Sequence, residues 1–113
     1  MITMSVTLRA TPGCTEAVIS DDGSLNLFYQ VAAIVNDDLG LKFLNKEDEF
    51  DSLHWDFKYK GQLLTLHYNI YTGISVFYTQ TKDTIRRNNK EMIEMASLLE
   101  QRVGSLAAMR KIA

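Results

Sequence analysis

Residues 53–80 read LHWDFKYKGQLLTLHYNIYTGISVFYTQ, and their alternation decides the fold. Leu53, Trp55, Phe57 and Tyr59 alternate with His54, Asp56, Lys58 and Lys60. Leu64, Leu66, Tyr68 and Ile70 then alternate with Leu63, Thr65, His67 and Asn69, and Ile74, Val76 and Tyr78 with Ser75, Phe77 and Thr79. Successive side chains of a strand point to opposite faces, so each run reads as a strand with one buried face. Lys60-Gly61 suits a two-residue hairpin loop, because glycine takes the positive φ such a turn needs. That loop sets Tyr59 opposite Gln62, Phe57 opposite Leu64, Trp55 opposite Leu66 and Leu53 opposite Tyr68, which gathers the large apolar residues on one face. A three-residue loop ending at Gly73 predicts Ile70 opposite Ile74 and Tyr68 opposite Val76. The result is an antiparallel three-strand meander at about 53–80.

Outward from the meander, residues 24–39 carry a helical stripe. Leu25, Phe28, Ala32, Val35 and Leu39 recur at spacings of three and four, widened by Leu27, Val31 and Ile34. Asp22 or Ser24 can cap its start, and Gly40 can stop it in the left-handed conformation. Asp37 and Asp38 oppose the helix dipole at its C-terminal end. Leu41 and Phe43 lead into an acidic run, Lys46 to Asp51, expected to be a solvated loop. A second amphipathic helix is expected at about 82–103, capped by Thr81, with Met92, Ala96, Leu99 and Val103 inside. Gly104-Ser105 is expected to break it and leave 104–113 as a docking tail. At the other end, Ile2, Met4, Val6, Leu8 and Ala10 alternate with polar residues as an N-terminal strand that Pro12-Gly13 closes. Residues 14–20 read equally as a short strand or a packed loop. The fold class expected is α+β, one domain over 1–113: an antiparallel sheet packed against two helices.

At 113 residues the chain can build one core without a disulfide or metal staple. Its single cysteine, Cys14, has no internal partner and no neighbouring base to activate it, and no export signal precedes it, so a reducing, cytoplasmic setting is expected. No run approaches the ~18 apolar residues of a membrane span. The net charge of −2 is too small to imply a polyanionic partner. It is unevenly placed: ten acids and three bases up to residue 56, then nine bases and four acids. Such polarity suits self-association or an oppositely charged protein.

The register sets His54 opposite His67 on the non-core face, with Asp56 two residues along. Two imidazoles and a carboxylate are reasonable ligands for zinc or iron, although no HExxH or CxxC spacing accompanies them. The same face carries Leu63 and Phe77, which with Leu106 and Met109 of the tail are the candidate partner contacts. Lys82, Arg86, Arg87 and Lys90 are partly matched by acids one helical turn away, and no RNA-binding sheet motif is present, so no nucleic-acid partner is expected. Phosphate-loop, dinucleotide, nucleophile-elbow and calcium-loop motifs are all missing, and no cofactor is expected.

In element order, a helix ending in Leu39-Gly40-Leu41, an acidic loop, three strands and a final amphipathic helix, residues 24–103 resemble the central part of small bacterial type III secretion chaperones. The strand at 1–10 departs from that family, whose chains begin with the helix. The resemblance implies a dimer that holds an extended client segment. Small immunity proteins, which block a cognate toxin, share the size and the sheet-plus-helix style. The expectation is therefore a non-catalytic interaction module, a homodimer in its simplest form. The alternative is a small metal- or ligand-binding domain or enzyme using the His54, His67 and Asp56 face.

Overall fold

The computed structural model describes residues 7–11, 14–21, 24–79 and 90–112, with side chains described except at 10, 11, 14 and 105–112. The expected strand residues 1–6, the Pro12-Gly13 turn, Asp22 as a cap and the helix start at 81–89 lie outside the described residues, as do the side chains of Cys14, Leu106 and Met109.

Six antiparallel strands form one open sheet: β1 (Thr7–Thr11), β2 (Cys14–Ser20), β3 (Phe43–Asp48), β4 (Ser52–Tyr59), β5 (Gln62–Asn69) and β6 (Gly73–Tyr78), in the order β1-β2-β6-β5-β4-β3. Two helices, α1 (Leu25–Ala33) and α2 (Lys90–Ile112), pack on the same face. The α+β expectation holds, and the meander is its centre. Among the described residues no helix is long and apolar enough to cross a membrane.

The first hairpin has the register that alternation and turn chemistry predict, Leu53 opposite Tyr68 through to Tyr59 opposite Gln62. Lys60 at φ 50° and Gly61 at φ 79° are both left-handed, the signature of a type I′ turn whose twist matches the strands. The second hairpin differs. Tyr68 pairs with Ile74, Leu66 with Val76 and Asn69 with Gly73, two residues away from the expected register. The loop is Ile70-Tyr71-Thr72, closed by the Asn69 side-chain oxygen, which accepts from Tyr71 N at 2.8 Å and Thr72 N at 3.2 Å. A slip of two preserves every face, which is why the core prediction survives it. Its visible consequence is at Ile70, which leaves the strand and is exposed.

The core joins Leu53, Trp55, Phe57, Leu64, Leu66, Tyr68, Ile74, Val76 and Tyr78 to Phe28, Val31 and Val35 of the first helical segment and to Met92, Met95, Ala96 and Leu99 of α2. Each large side chain buried here contributes about 1.5–3 kcal/mol. Phe28 meets Trp55 edge-on at 5.0 Å between ring centroids and Tyr68 at 5.7 Å. Polar pins accompany the packing: Tyr78 Oη donates to Glu91 at 2.9 Å, and Lys60 pairs with Glu94 at 3.0 Å.

Three expectations are corrected. Part of the acidic run is not loop but β3, which pairs with β4 at the sheet edge. Its backbone groups gain partners, while a bulge at Leu44 and the exposed Lys46, Glu47 and Asp48 keep the free edge charged. The second correction concerns α2, which runs through Gly104 to Ile112 without a break. Gly104 is exposed with nothing within 4 Å of a would-be Cβ, so continued helix costs only its conformational entropy. Third, residues 34–38 form a π-helical turn (Ile34–Asp38) rather than regular helix. Ser24 caps the start as expected, its Oγ accepting from Leu27 N at 3.2 Å. Leu39 N then bonds Ile34 O at 3.0 Å and Leu41 N bonds Val35 O at 3.0 Å, with Gly40 at φ 68° ending the segment. Asp38, adverse to the dipole, is answered by Arg102 at 3.3 Å. Residues 14–20, ambiguous in sequence, form β2.

Candidate functional site

Both helices cover one face of the sheet, so the opposite face is where the polar side chains converge. Pairing carries one row across it: Val18 (β2), Ser75 (β6), His67 (β5), His54 (β4) and Glu47 (β3). The neighbouring row includes Phe77, Thr65, Asp56 and Asn45. Sequence alternation therefore placed His54 and His67 correctly: their rings lie 4.5 Å apart, tilted by 34°. Phe77 closes on His67 at 5.5 Å and on His54 at 6.4 Å.

Around the pair runs a chain of polar contacts. Arg9 donates to Glu16 at 2.8 Å, and Ser75 Oγ lies 3.5 Å from His67 Nδ1. Burial raises the Glu16 pKa, but hydrogen bonds from Arg9 and Ser75, and the Arg9 charge, outweigh it and leave the carboxyl below its ordinary value. The His67 pKa falls to about 4 because burial disfavours the cation, and the neighbouring His54 adds like charge. His54 Nδ1 is buried and has no hydrogen-bond partner among the described residues.

Asp56 does not turn toward the imidazoles. Thr65 Oγ1 donates to it at 2.6 Å and also lies 2.8 Å from Thr79 Oγ1. Among the described residues no group of three His, Cys, Asp or Glu side chains is arranged to hold a metal ion. The same face bears a shallow cavity of about 240 Å³, lined by Glu47, Glu49, His54, Asp56, Thr65, Phe77 and Thr79. What this arrangement can do chemically is hold His67 as a neutral imidazole, offer the unpartnered His54 Nδ1 to a hydrogen-bonding group, and attract positive charge to the carboxylates.

The candidate partner contacts separate. Leu63 and Phe77 are half-buried within the open face. The apolar side chains most available to a partner are others. Phe50, in the turn between β3 and β4, is 106% exposed and Tyr71 is 81% exposed. Ile70 N donates to Asp51 O at 3.0 Å and so holds these two turns together at one end of the sheet. The signal that could have found them was a phenylalanine inside an acidic run and an Ile-Tyr pair inside a turn, where burial cannot account for them.

A second concavity lies on the helix side, between α1 and β3. It holds about 520 Å³ and is lined by Tyr29, Ala32, Ala33, Asn36, Asp37, Lys42, Phe43, Lys46 and Trp55. Comparison with protein-family models, with curated proteins and with solved structures gives no match to this chain.

Proposed function

We propose that the chain is a small, non-catalytic protein-interaction module that docks through the apolar tip of its sheet. One observation carries the reading: Phe50, Ile70 and Tyr71 project from two turns joined by the Ile70–Asp51 backbone bond, and none of them is needed by the core. Large apolar groups clustered on a rigid surface mark an interaction site, and aromatic anchors supply most of the binding energy where they fill a pocket. Asp48, Glu49 and Asp51 surround the tip, so the partner surface it fits is an apolar pocket rimmed by lysine or arginine.

Self-association is one form of this function. A two-fold contact through the tip would oppose the acids of two copies, so self-association calls for a different, basic surface on the second copy. Affinity capture from the native cell tests the reading, with the oligomeric state of the purified chain measured by light scattering. The wild-type chain is expected to hold one stoichiometric protein, another copy or a different chain. The double variant Phe50→Ser/Tyr71→Ser is expected to weaken that contact at least about tenfold with its melting temperature unchanged. Equal binding by the variant, or a solitary wild-type monomer that captures nothing, overturns it.

A further inference from the structure

We propose that the cleft between α1 and β3 binds a small planar aromatic molecule bearing one acidic group, a carboxylate or a phosphate monoester. The site is separate from the tip and from the histidine face. Its volume of about 520 Å³ falls within the range of small-molecule sites, ~300–1,000 Å³.

Three aromatic side chains shape it. Tyr29 and Trp55 stand 5.9 Å apart between ring centroids, and Phe43 meets Trp55 edge-on at 5.3 Å. Beyond Tyr29, α1 presents Ala32 and Ala33 to the cleft, and these small side chains leave room for a ring. Two lysines supply the charge. Lys46 Nζ lies 4.3 Å from the Trp55 ring centroid and 5.7 Å from that of Phe43, held by ring faces and not by a carboxylate. Among the described residues neither Lys42 nor Lys46 forms an ion pair. Against these two lysines the lining holds one acid, Asp37, which accepts from Asn36 Nδ2 at 2.9 Å, so the lining carries a net positive charge. A ligand ring packs against Tyr29, the exposed aromatic wall, and its anionic group takes the ammonium groups of Lys42 and Lys46.

The helix itself gives the second, independent indication. The π-helical turn Ile34–Asp38 begins directly after Ala33. Turns of this kind are rare and occur frequently at functional sites. Here the widened turn sends Ile34 and Val35 into the core while Asn36 and Asp37 line the cleft.

Trp55 is the chain's single tryptophan, so its indole N–H, which donates to Asp48 at 2.8 Å, gives one unambiguously assigned resonance at the cleft wall. The experiment titrates the full chain with 2-naphthoate and with phenyl phosphate, and with neutral 2-naphthamide as the control, following that resonance by NMR. At least one acid is expected to give a saturable shift at millimolar concentration or below, with the neutral amide about tenfold weaker, the loss of one charge-assisted contact. The comparison of the two acids tells carboxylate from phosphate. Ala33→Leu, which fills the cleft from an exposed helix position, and Lys46→Gln are each expected to weaken binding several-fold. If Ala33→Leu fails to fold, Lys46→Gln decides alone. No saturable shift with either acid, an equal response to the neutral amide, or undiminished binding in the folded variants overturns the proposal.

Discussion

At the scale of the residue, His67 turns pH into stability. Its imidazole titrates at about 4 in the folded chain against an ordinary 6.5, so between these values the unfolded chain binds more protons than the folded one. Stability then rises with pH across that window and is lost as pH falls from 6.5 toward 4. The effect is on the order of 2 kcal/mol once solvent screening of a partly exposed ring is allowed for. Urea unfolding at a series of pH values is expected to show this slope, with His67→Asn flattening it by that amount; an unchanged slope would place the proton elsewhere. Glu16, whose pKa is lowered, contributes in a more acidic window, below its ordinary value. Gly73 is constrained in another way. At φ 92° its Cα faces the Ser20 carbonyl so closely that an added Cβ would overlap it. Gly73→Ala is expected to cost about 2 kcal/mol or more, measured as a lower urea midpoint, because the turn and β2 must both shift.

At the scale of the element, the helices and the edge strand show where pattern and context part. Gly104 sits exposed inside α2, where its missing side chain serves no packing. Gly104→Ala is expected to raise stability by about 0.5–1 kcal/mol, read as a higher urea midpoint; no gain would mean that the helix is not continuous there. The strand β3 illustrates the opposite case. Lys46, Glu47 and Asp48 have no propensity for a sheet, yet they pair with Trp55, His54 and Leu53 because β4 offers a row of backbone groups that would otherwise lack partners. Trp55 Nε1 also donates to Asp48 at 2.8 Å, so an acid that reads as solvated loop helps hold the core tryptophan.

At the scale of the molecule, one face of the sheet is committed to the helices, and function falls to what remains: the opposite face, the end of the sheet and the cleft beside α1. The tip substitutions Phe50→Ser and Tyr71→Ser act at this scale, since they are expected to change what the chain associates with and leave its stability alone. The histidine pair was legible before any tertiary structure, because a two-residue turn at Lys60-Gly61 sets the register of an entire hairpin. The position of Asp56 relative to the pair was not legible. Adjacency along a strand says nothing of rotamer, and here Thr65 takes the carboxylate. Nor could the cleft be foreseen, because Tyr29, Lys42 and Trp55 belong to three separate segments that only folding brings together.

The residues themselves determined the meander. Alternation assigned the faces, the left-handed turn at Lys60-Gly61 set the first register, and a period of two kept the core correct even where the second register slipped. Tertiary structure decided what no local signal carries: that 43–48 joins the sheet, that α2 continues through Gly104, and which side chains meet across the cleft and the open face. The physical reason is range. Turn chemistry and side-chain alternation act over a few residues and are written in them, whereas edge pairing, burial and the convergence of side chains depend on elements distant in the chain.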